Sequence, residues 1–555
     1  MKLLRWLIDL FVRRGRSSDA ERWCAEYFRS RKPARLDQAA PLVVIEAVDD
    51  LFFHNLLGEV VIGLREQRAI RVARWASNSF AAGASLSLRS LAAAQLHKYL
   101  FSRMRWGRLY DGICDLPGDR ADRTRAPWVE LACLWHAWRL FRGVSSKDQL
   151  AALTVDGILV GDLVIDTYLR FRPAIEVQLQ DPYLFWVLRQ ALRDMVVVRK
   201  YFRRVRPALY LSTYTTYVQH GIPVRTAVAM GITAWSFANA QEFGTRLTKD
   251  HPLQSRRCAG YAADFARLGD QDEKLAMAGE LLGGRVAGIA DMATSLMRSA
   301  YQIRTQDVPD VRGAAVVFLH DFYDSPHIYR WMVFQDFWDW ACATIEILQG
   351  AGLPFVLKPH PSQRAESSRE LERLKHKYPG VRFVSSDVSN RQLVDGGMAC
   401  AVTVYGSVAA EMAYMGVPSI SCGDNPHASF DAFHLARDRE EYSRLLSNFV
   451  GLPRDCERLR RQACAFYYMH NMNATSEALE LRDRMIEFHG YMIKKLEVEK
   501  AAFSPDEMAK IFAGLEGTAG FRNFVVDLAA ELNGAPAPCQ ISPEGAKQCL
   551  SMPRF

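Results

Sequence analysis

The amino-acid sequence predicts an α/β protein with two doubly wound, parallel-sheet domains and helical extensions at both ends. Three observations lead there. The chain has 555 residues, more than one ordinary hydrophobic core accommodates. Short β-branched or aromatic runs alternate with amphipathic segments through its second half, the pattern of strands joined by crossover helices. The polar residues best suited to chemistry fall directly after those runs, on the edge where open α/β sheets bind ligands.

Composition fits a globular chain. With 49% hydrophobic and 24% charged residues, disordered, fibrous and disulfide-stapled classes are excluded. A net charge of +8 suits nucleotides, an acidic polymer or an anionic membrane surface without choosing among them. The 11 cysteines are scattered and none lies in a CxxC pair, so they read as reduced thiols of a cytoplasmic protein and not as a zinc site. No apolar stretch reaches the roughly 18 to 20 residues of a spanning helix, and no cleavage site follows the N-terminal run.

Taken in order, residues 1–40 form a basic amphipathic segment. Its first part, MKLLRWLIDLFVRRGR, sets Trp6 and six aliphatic or aromatic residues among Lys2, Arg5, Arg13, Arg14 and Arg16. Two readings stay open: a helix lying on the inner face of the cytoplasmic membrane, or a helix packed on its own domain. A polar, Arg-rich stretch from Arg13 to Gln38 leads to the first domain, residues 41–305. That domain opens with a strand at Leu42–Ala47 and a helix at Leu51–Gln67. Helical patterns fill 75–155 and 180–205, then come a strand at Ala208–Ser212, a polar turn and a helix at Val224–Met230. The second domain, residues 306–455, has strands at Ala314–Leu319, Phe355–Lys358, Val381–Ser385, Cys400–Val404 and Ser419–Cys422. Helices are expected between them at Phe334–Gln349, Arg364–Tyr378, Asn390–Asp395 and Val408–Met415. Residues 456–555 are helices followed by a loose tail. No repeat, low-complexity tract or nucleic-acid motif occurs.

Three loops of the second domain carry candidate chemistry. In FVLKPHP, Lys358, His360 and Pro361 follow a strand, and the flanking prolines fix an imidazole beside an ammonium, a pair suited to a phosphate. In TVYGSVAAE, Tyr405, Gly406 and Ser407 form a glycine turn into a helix whose free amides suit an anion, with Ser407 as the cap. Glu411 lies one turn further on, placed to accept from ribose hydroxyls. After the strand AVVFL come His320, Asp321, Asp324, Ser325, His327 and Arg330, whose spacing matches no standard metal site. Asp424, Asn425 and His427 follow the last strand and close the same pocket. In the first domain, Gln219, His220, Gly221, Pro223 and Arg225 lie between strand and helix. A sugar acceptor needs a general base, and Asp162, Asp166 and His220 are the three candidates; Asp49 and Asp50 follow the first strand.

On these residues the chain resembles the GT-B glycosyltransferases of bacterial capsule and surface-polysaccharide biosynthesis, including Kdo transferases. The carrying strings are KPHP at 358–361 and TVYGSVAAEMAYMGVP at 403–418, with HDFYDSPHIY at 320–329 and YVQHGIP at 217–223. The resemblance implies two Rossmann-like domains facing a central cleft. It implies a nucleotide-sugar as co-substrate, CMP-Kdo or another CMP-sugar, a glycan or glycolipid acceptor, and neither metal nor other cofactor. It also implies that His360 and Ser407 contact the nucleotide phosphate. The same His-Pro pair, serine turn and helical Glu are similar to CDP-glycerol glycerophosphotransferases and UDP-GlcNAc 2-epimerases, although the latter have Gly-Gly where this chain has Gly406 and Ser407. A non-catalytic polysaccharide assembly or export partner is the reading from another class.

Overall fold

The computed structural model describes residues 18–76, 105–116, 127–172, 174–289, 298–361, 365–499 and 503–532. The amphipathic leader, residues 1–16, lies outside them, as do Cys539 and Cys549. The chain divides into two compact units. The first comprises residues up to Arg172, Leu179–Gln254 and the chain from Thr475 onward; the second comprises Ser255–Ala474 and a short segment ending at Gln178.

The first unit starts with α1 (Asp19–Ser30), within the stretch expected to be a polar connector. Ser18 and Glu21 close a capping box there, each side chain bonding the other's backbone, and Cys24 and Phe28 bury one face. Next come β1 (Leu42–Ala47), α2 (Leu51–Gln67) and β2 (Arg71–Ala76). Helix α2 is buried from Leu51 to Leu64. A Cβ on its Gly58 would fall 2.4 Å from the ring of Phe28, so only glycine admits α1 at this distance. Further on lie α3 (Pro127–Gly143), α4 (Gly161–Phe171), α5 (Pro182–Val205), β3 (Leu209–Ser212), α6 (Tyr217–Ala229), β4 (Thr233–Ser236) and β5 (Thr245–Leu247).

These strands form one sheet in the order β2-β1-β3-β4-β5, with β5 antiparallel at the edge and the others parallel. The sequence reading placed a polar turn before a helix starting at Val224. The helix begins instead at Tyr217, whose φ is +63°, and carries Pro223 inside it. Gln219, His220, Gly221 and Arg225 are therefore helical residues and not loop residues. The late helices Ser476–Ile493, Pro505–Glu516 and Ala519–Glu531 return to this unit, where Met485, Phe512 and Val525 share a core with Ile45 and Leu56.

The second unit contains α7 (Gln271–Val286), β6 (Ala315–Phe318), α8 (Phe337–Gly350), β7 (Phe355–Lys358), β8 (Cys400–Val402), α9 (Val408–Tyr414), β9 (Ser419–Ser421), β10 (Phe433–Leu435) and α10 (Cys456–Asn471). All five strands are parallel, in the order β10-β9-β8-β6-β7. The expected strand at Val381–Ser385 reduces to a single bridge, Leu357↔Phe383, because turns on either side leave room for only two backbone bonds to β7. Helix α7, assigned to the first domain by the sequence reading, packs with α9 and α10 in this unit, where Ala278, Leu282, Ala409 and Ala463 share one core.

Each unit is thus an α/β, Rossmann-like fold. In both sheets the first strand is second from an edge, with the second strand on its outer side and the remaining three on the other. The strand order reverses beside the first strand, which is where such sheets receive ligands.

Candidate functional site

In the second unit the reversal lies between β6 and β8, with β7 on the other side of β6. Pairing of Phe318 with Lys358 and of Val317 with Val402 brings three loops to one edge: 319–327, 359–361 and 403–407. The structure therefore gathers the three stretches that the sequence singled out. His320 joins two of them. Its Nε2 accepts from Val404 N–H at 3.3 Å and lies 3.1 Å from Thr403 Oγ1, while its ring stacks on Phe337 with centroids 4.7 Å apart. Burial, together with the nearby His360, lowers its pKa to about 3, so the ring is neutral and Nε2 is a standing acceptor. The Thr403 hydroxyl in turn accepts from Gly406 N–H at 3.3 Å. A Cβ on Gly406 would lie 2.9 Å from Thr403 Oγ1, so the close turn needs glycine.

Ser407 was expected to cap the following helix. It makes no capping bond; helical backbone angles at this residue turn its hydroxyl to Glu411 Oε1, 3.3 Å away. Glu411 is buried and gathers further donors: Tyr301 Oη at 2.5 Å to Oε2 and the Arg285 guanidinium at 3.5 Å to Oε1. Tyr301 also engages Asn390, and Asn390 accepts from Lys358 Nζ. Lys358, expected at the open edge, is only 2% exposed. Its pKa falls to about 8 because burial outweighs the attraction of Glu411. No other described residue accepts from this ammonium, so a group with three N–H donors has one described partner.

His360 is half-buried. Burial lowers its pKa, and the carboxylates of Asp321 and Asp324 oppose that shift. Asp321 accepts from Tyr323 N–H in its own loop and from Ser367 Oγ in the helix Ala365–Lys377, and Asp324 is exposed. Tyr405 donates to the Ser325 carbonyl at 3.0 Å, joining the turn to the first loop, and Pro361 is half-buried beside His360. His327 is buried with Nε2 3.0 Å from Gln335 Oε1. His427 is buried against Phe433 and Phe466 with neither ring nitrogen bonded to a described residue, and burial lowers its pKa to about 3.

In the first unit the order reverses between β1 and β3. There the fully buried Glu46, near the end of β1, accepts His220 Nδ1 on Oε1 at 2.8 Å. Its Oε2 takes Thr213 N, Thr213 Oγ1 and Ser212 Oγ at 2.8, 2.6 and 3.0 Å. Burial alone would raise this carboxyl, but the His220 and Thr213 contacts prevail and hold its pKa below the usual value. With Nδ1 facing Glu46, His220 Nε2 is bonded by no described residue, and the side chain is 12% exposed. Asp162, the second candidate base, forms a buried two-pronged ion pair with Arg225 at 2.6 and 2.5 Å. Asp166 is buried further along α4.

Glu46 went unnoticed in the sequence, yet it left a signal: it is the one charge in the strand LVVIEA. Tyr301 and Arg285 left none, because they reach Glu411 from segments with no strand-loop pattern.

No protein-family model matches the sequence, and no curated protein matches it. Among solved structures, the chain is similar to the UDP-GlcNAc 2-epimerase of Neisseria meningitidis bound to UDP-GlcNAc, with 7% identity, 81% of this chain and 99% of that chain covered, and a TM-score of 0.26. The UDP-GlcNAc 2-epimerase of Methanocaldococcus jannaschii gives 9%, 76%, 97% and 0.23. The kitacinnamycin glycotransferase gives 9%, 89%, 99% and 0.21. Such TM-scores carry no functional argument, and the fold assignment rests on the two sheets themselves.

Proposed function

We propose that the protein is a glycosyltransferase that takes a sugar from a nucleotide-linked donor, a CMP-sugar such as CMP-Kdo in the first instance, and passes it to a growing surface polysaccharide or glycolipid. One observation carries this reading: His360, the His320 loop and the turn 403–407 share the edge of three adjacent strands at the point where the sheet order reverses. In this scheme the His360 imidazole and the exposed Ser407 hydroxyl take the donor phosphate, and they meet its charge as the bond from sugar to phosphate breaks. Lys358 adds positive charge nearby. Glu411 orients Ser407 and retains lone pairs for a ribose hydroxyl. His220 takes the proton of the acceptor hydroxyl on Nε2 as that oxygen forms the new glycosidic bond, with Glu46 fixing the tautomer. Asp162 is drawn from that role by Arg225. Peripheral seating of residues 1–16 on the inner membrane belongs to the same scheme.

A thermal-shift panel of CMP, CDP, UDP, GDP and their sugar conjugates tests the donor. A ligand at one hundred times its Kd stabilises the native state by about 2.7 kcal/mol, and CMP with its sugar conjugates is expected to do so. Protection by CDP-glycerol alone would move the reading to phosphopolyol transfer. Protection by UDP-GlcNAc with release of its 2-epimer would move it to epimerisation. No protection by any of them would sink it.

A further inference from the structure

Helix α3 presents to solvent a face that solvent does not favour. Cys133 and Ala137 are buried, and the half-buried Glu130 pairs with Arg189 and Arg193 of α5, so this side of α3 packs on α5. Residues 128, 131, 135 and 138 recur at steps of three, four and three, which puts them on a single stripe. They are Trp128, Leu131, Trp135 and Trp138, exposed by 66, 65, 56 and 50%. Trp135 and Trp138 stack on each other with centroids 5.5 Å apart. A helix packed on one side ordinarily turns a polar face to water; this one turns three indoles and a leucine.

The exposed charges on α3 itself are of one sign. Arg139 and Arg142 are exposed on α3, while its single acid, Glu130, is answered by Arg189 and Arg193. We propose that this stripe is a membrane-contact surface that seats the protein on an anionic lipid bilayer. Indole is the side chain that settles best at the boundary between head groups and acyl chains, where its ring is buried and its N–H stays wet. Each cation near such a surface adds to the attraction of anionic head groups. A second copy of the chain fits less well. A two-fold contact through this stripe would set Arg139 and Arg142 against their own copies, with no free acid on the helix to meet them. The assignment is independent of the sugar-transfer reading and of residues 1–16.

Co-sedimentation of the full chain with lipid vesicles tests it. The protein is expected to bind phosphatidylcholine vesicles that contain phosphatidylglycerol, and to bind phosphatidylcholine alone at least about tenfold more weakly. The pair Trp135→Ser and Trp138→Ser should weaken binding to the anionic vesicles by about tenfold, without lowering Tm, since both side chains are already exposed. Arg139→Glu with Arg142→Glu should do the same and serves if the tryptophan pair fails to fold. A chain lacking residues 1–16 should keep its dependence on Trp135 and Trp138. The proposal is overturned if the intact chain ignores anionic vesicles or if both pairs bind as the intact chain does. It also falls if ultracentrifugation shows a dimer that the tryptophan pair dissolves while vesicles are left unbound.

Discussion

Glu46 accepts four hydrogen bonds from three residues, Ser212 at the end of β3, Thr213 just after it and His220 on α6, all from inside a strand whose other members are apolar. A carboxylate so placed fixes the one ring it faces. Glu46→Gln retains the shape but replaces one acceptor by an N–H₂, so His220 must change tautomer or lose its partner. The expected result is a fall of about 100-fold in kcat with KM little changed and an altered pH profile of kcat, the loss that removal of a general base brings. Steady-state kinetics across pH would show it, and an unchanged profile would deny His220 the role of base. The residue scale is also where the sequence was hardest to read. His360 and Ser407 stand out because each directly follows a strand. Their supporting residues Tyr301, Arg285 and Asn390 are brought in by tertiary packing, which no local spacing announces.

At the scale of elements, strands β1 and β7 and the helix Asn390–Asp395 fall where hydrophobic runs and capping residues put them. Strands β2, β4, β5 and β10 were not anticipated. In β2 the run RVARWA is broken by Arg74, an apparent contradiction of a buried strand. The fold resolves it by tying that guanidinium to Asp111 and the Gly107 carbonyl, partners more than thirty residues away in sequence. Strand β10 has three residues and no periodicity to detect. The packing of α1 on α2 gives a direct test. Gly58→Ala would force a methyl into the buried ring of Phe28, and overpacking of this kind costs about 1 to 3 kcal/mol. A denaturant titration should show the unfolding free energy falling by that amount, with the midpoint shifted down in proportion; an unchanged midpoint would mean that α1 can move aside.

At the scale of the whole molecule, four of the described histidines are held most strongly in the neutral form by burial. The pKa of His54 is about 4, and those of His320, His427 and His470 are about 3. Folded values below the ordinary 6.5 mean that the unfolded chain takes up protons that the native chain refuses. The stability linked to these groups is therefore complete above about pH 6.5 and is lost as pH falls toward 4 and 3. Each group contributes a slope of up to about 1.4 kcal/mol per pH unit. Tm should drop steeply between pH 6.5 and 4.5, and His427→Phe, which removes one titrating ring among aromatic neighbours, should flatten the decline. A level Tm over that range would contradict the burial of these rings. The return of the last helices to the first unit has a consequence for the order of synthesis. The second unit is complete once Ala474 has been made, whereas the first needs Met485, Phe512 and Val525 to close the core around Ile45 and Leu56. The first unit begins earliest and finishes last, so a nascent or C-terminally clipped chain carries a finished second unit beside a first unit with its core still open to water.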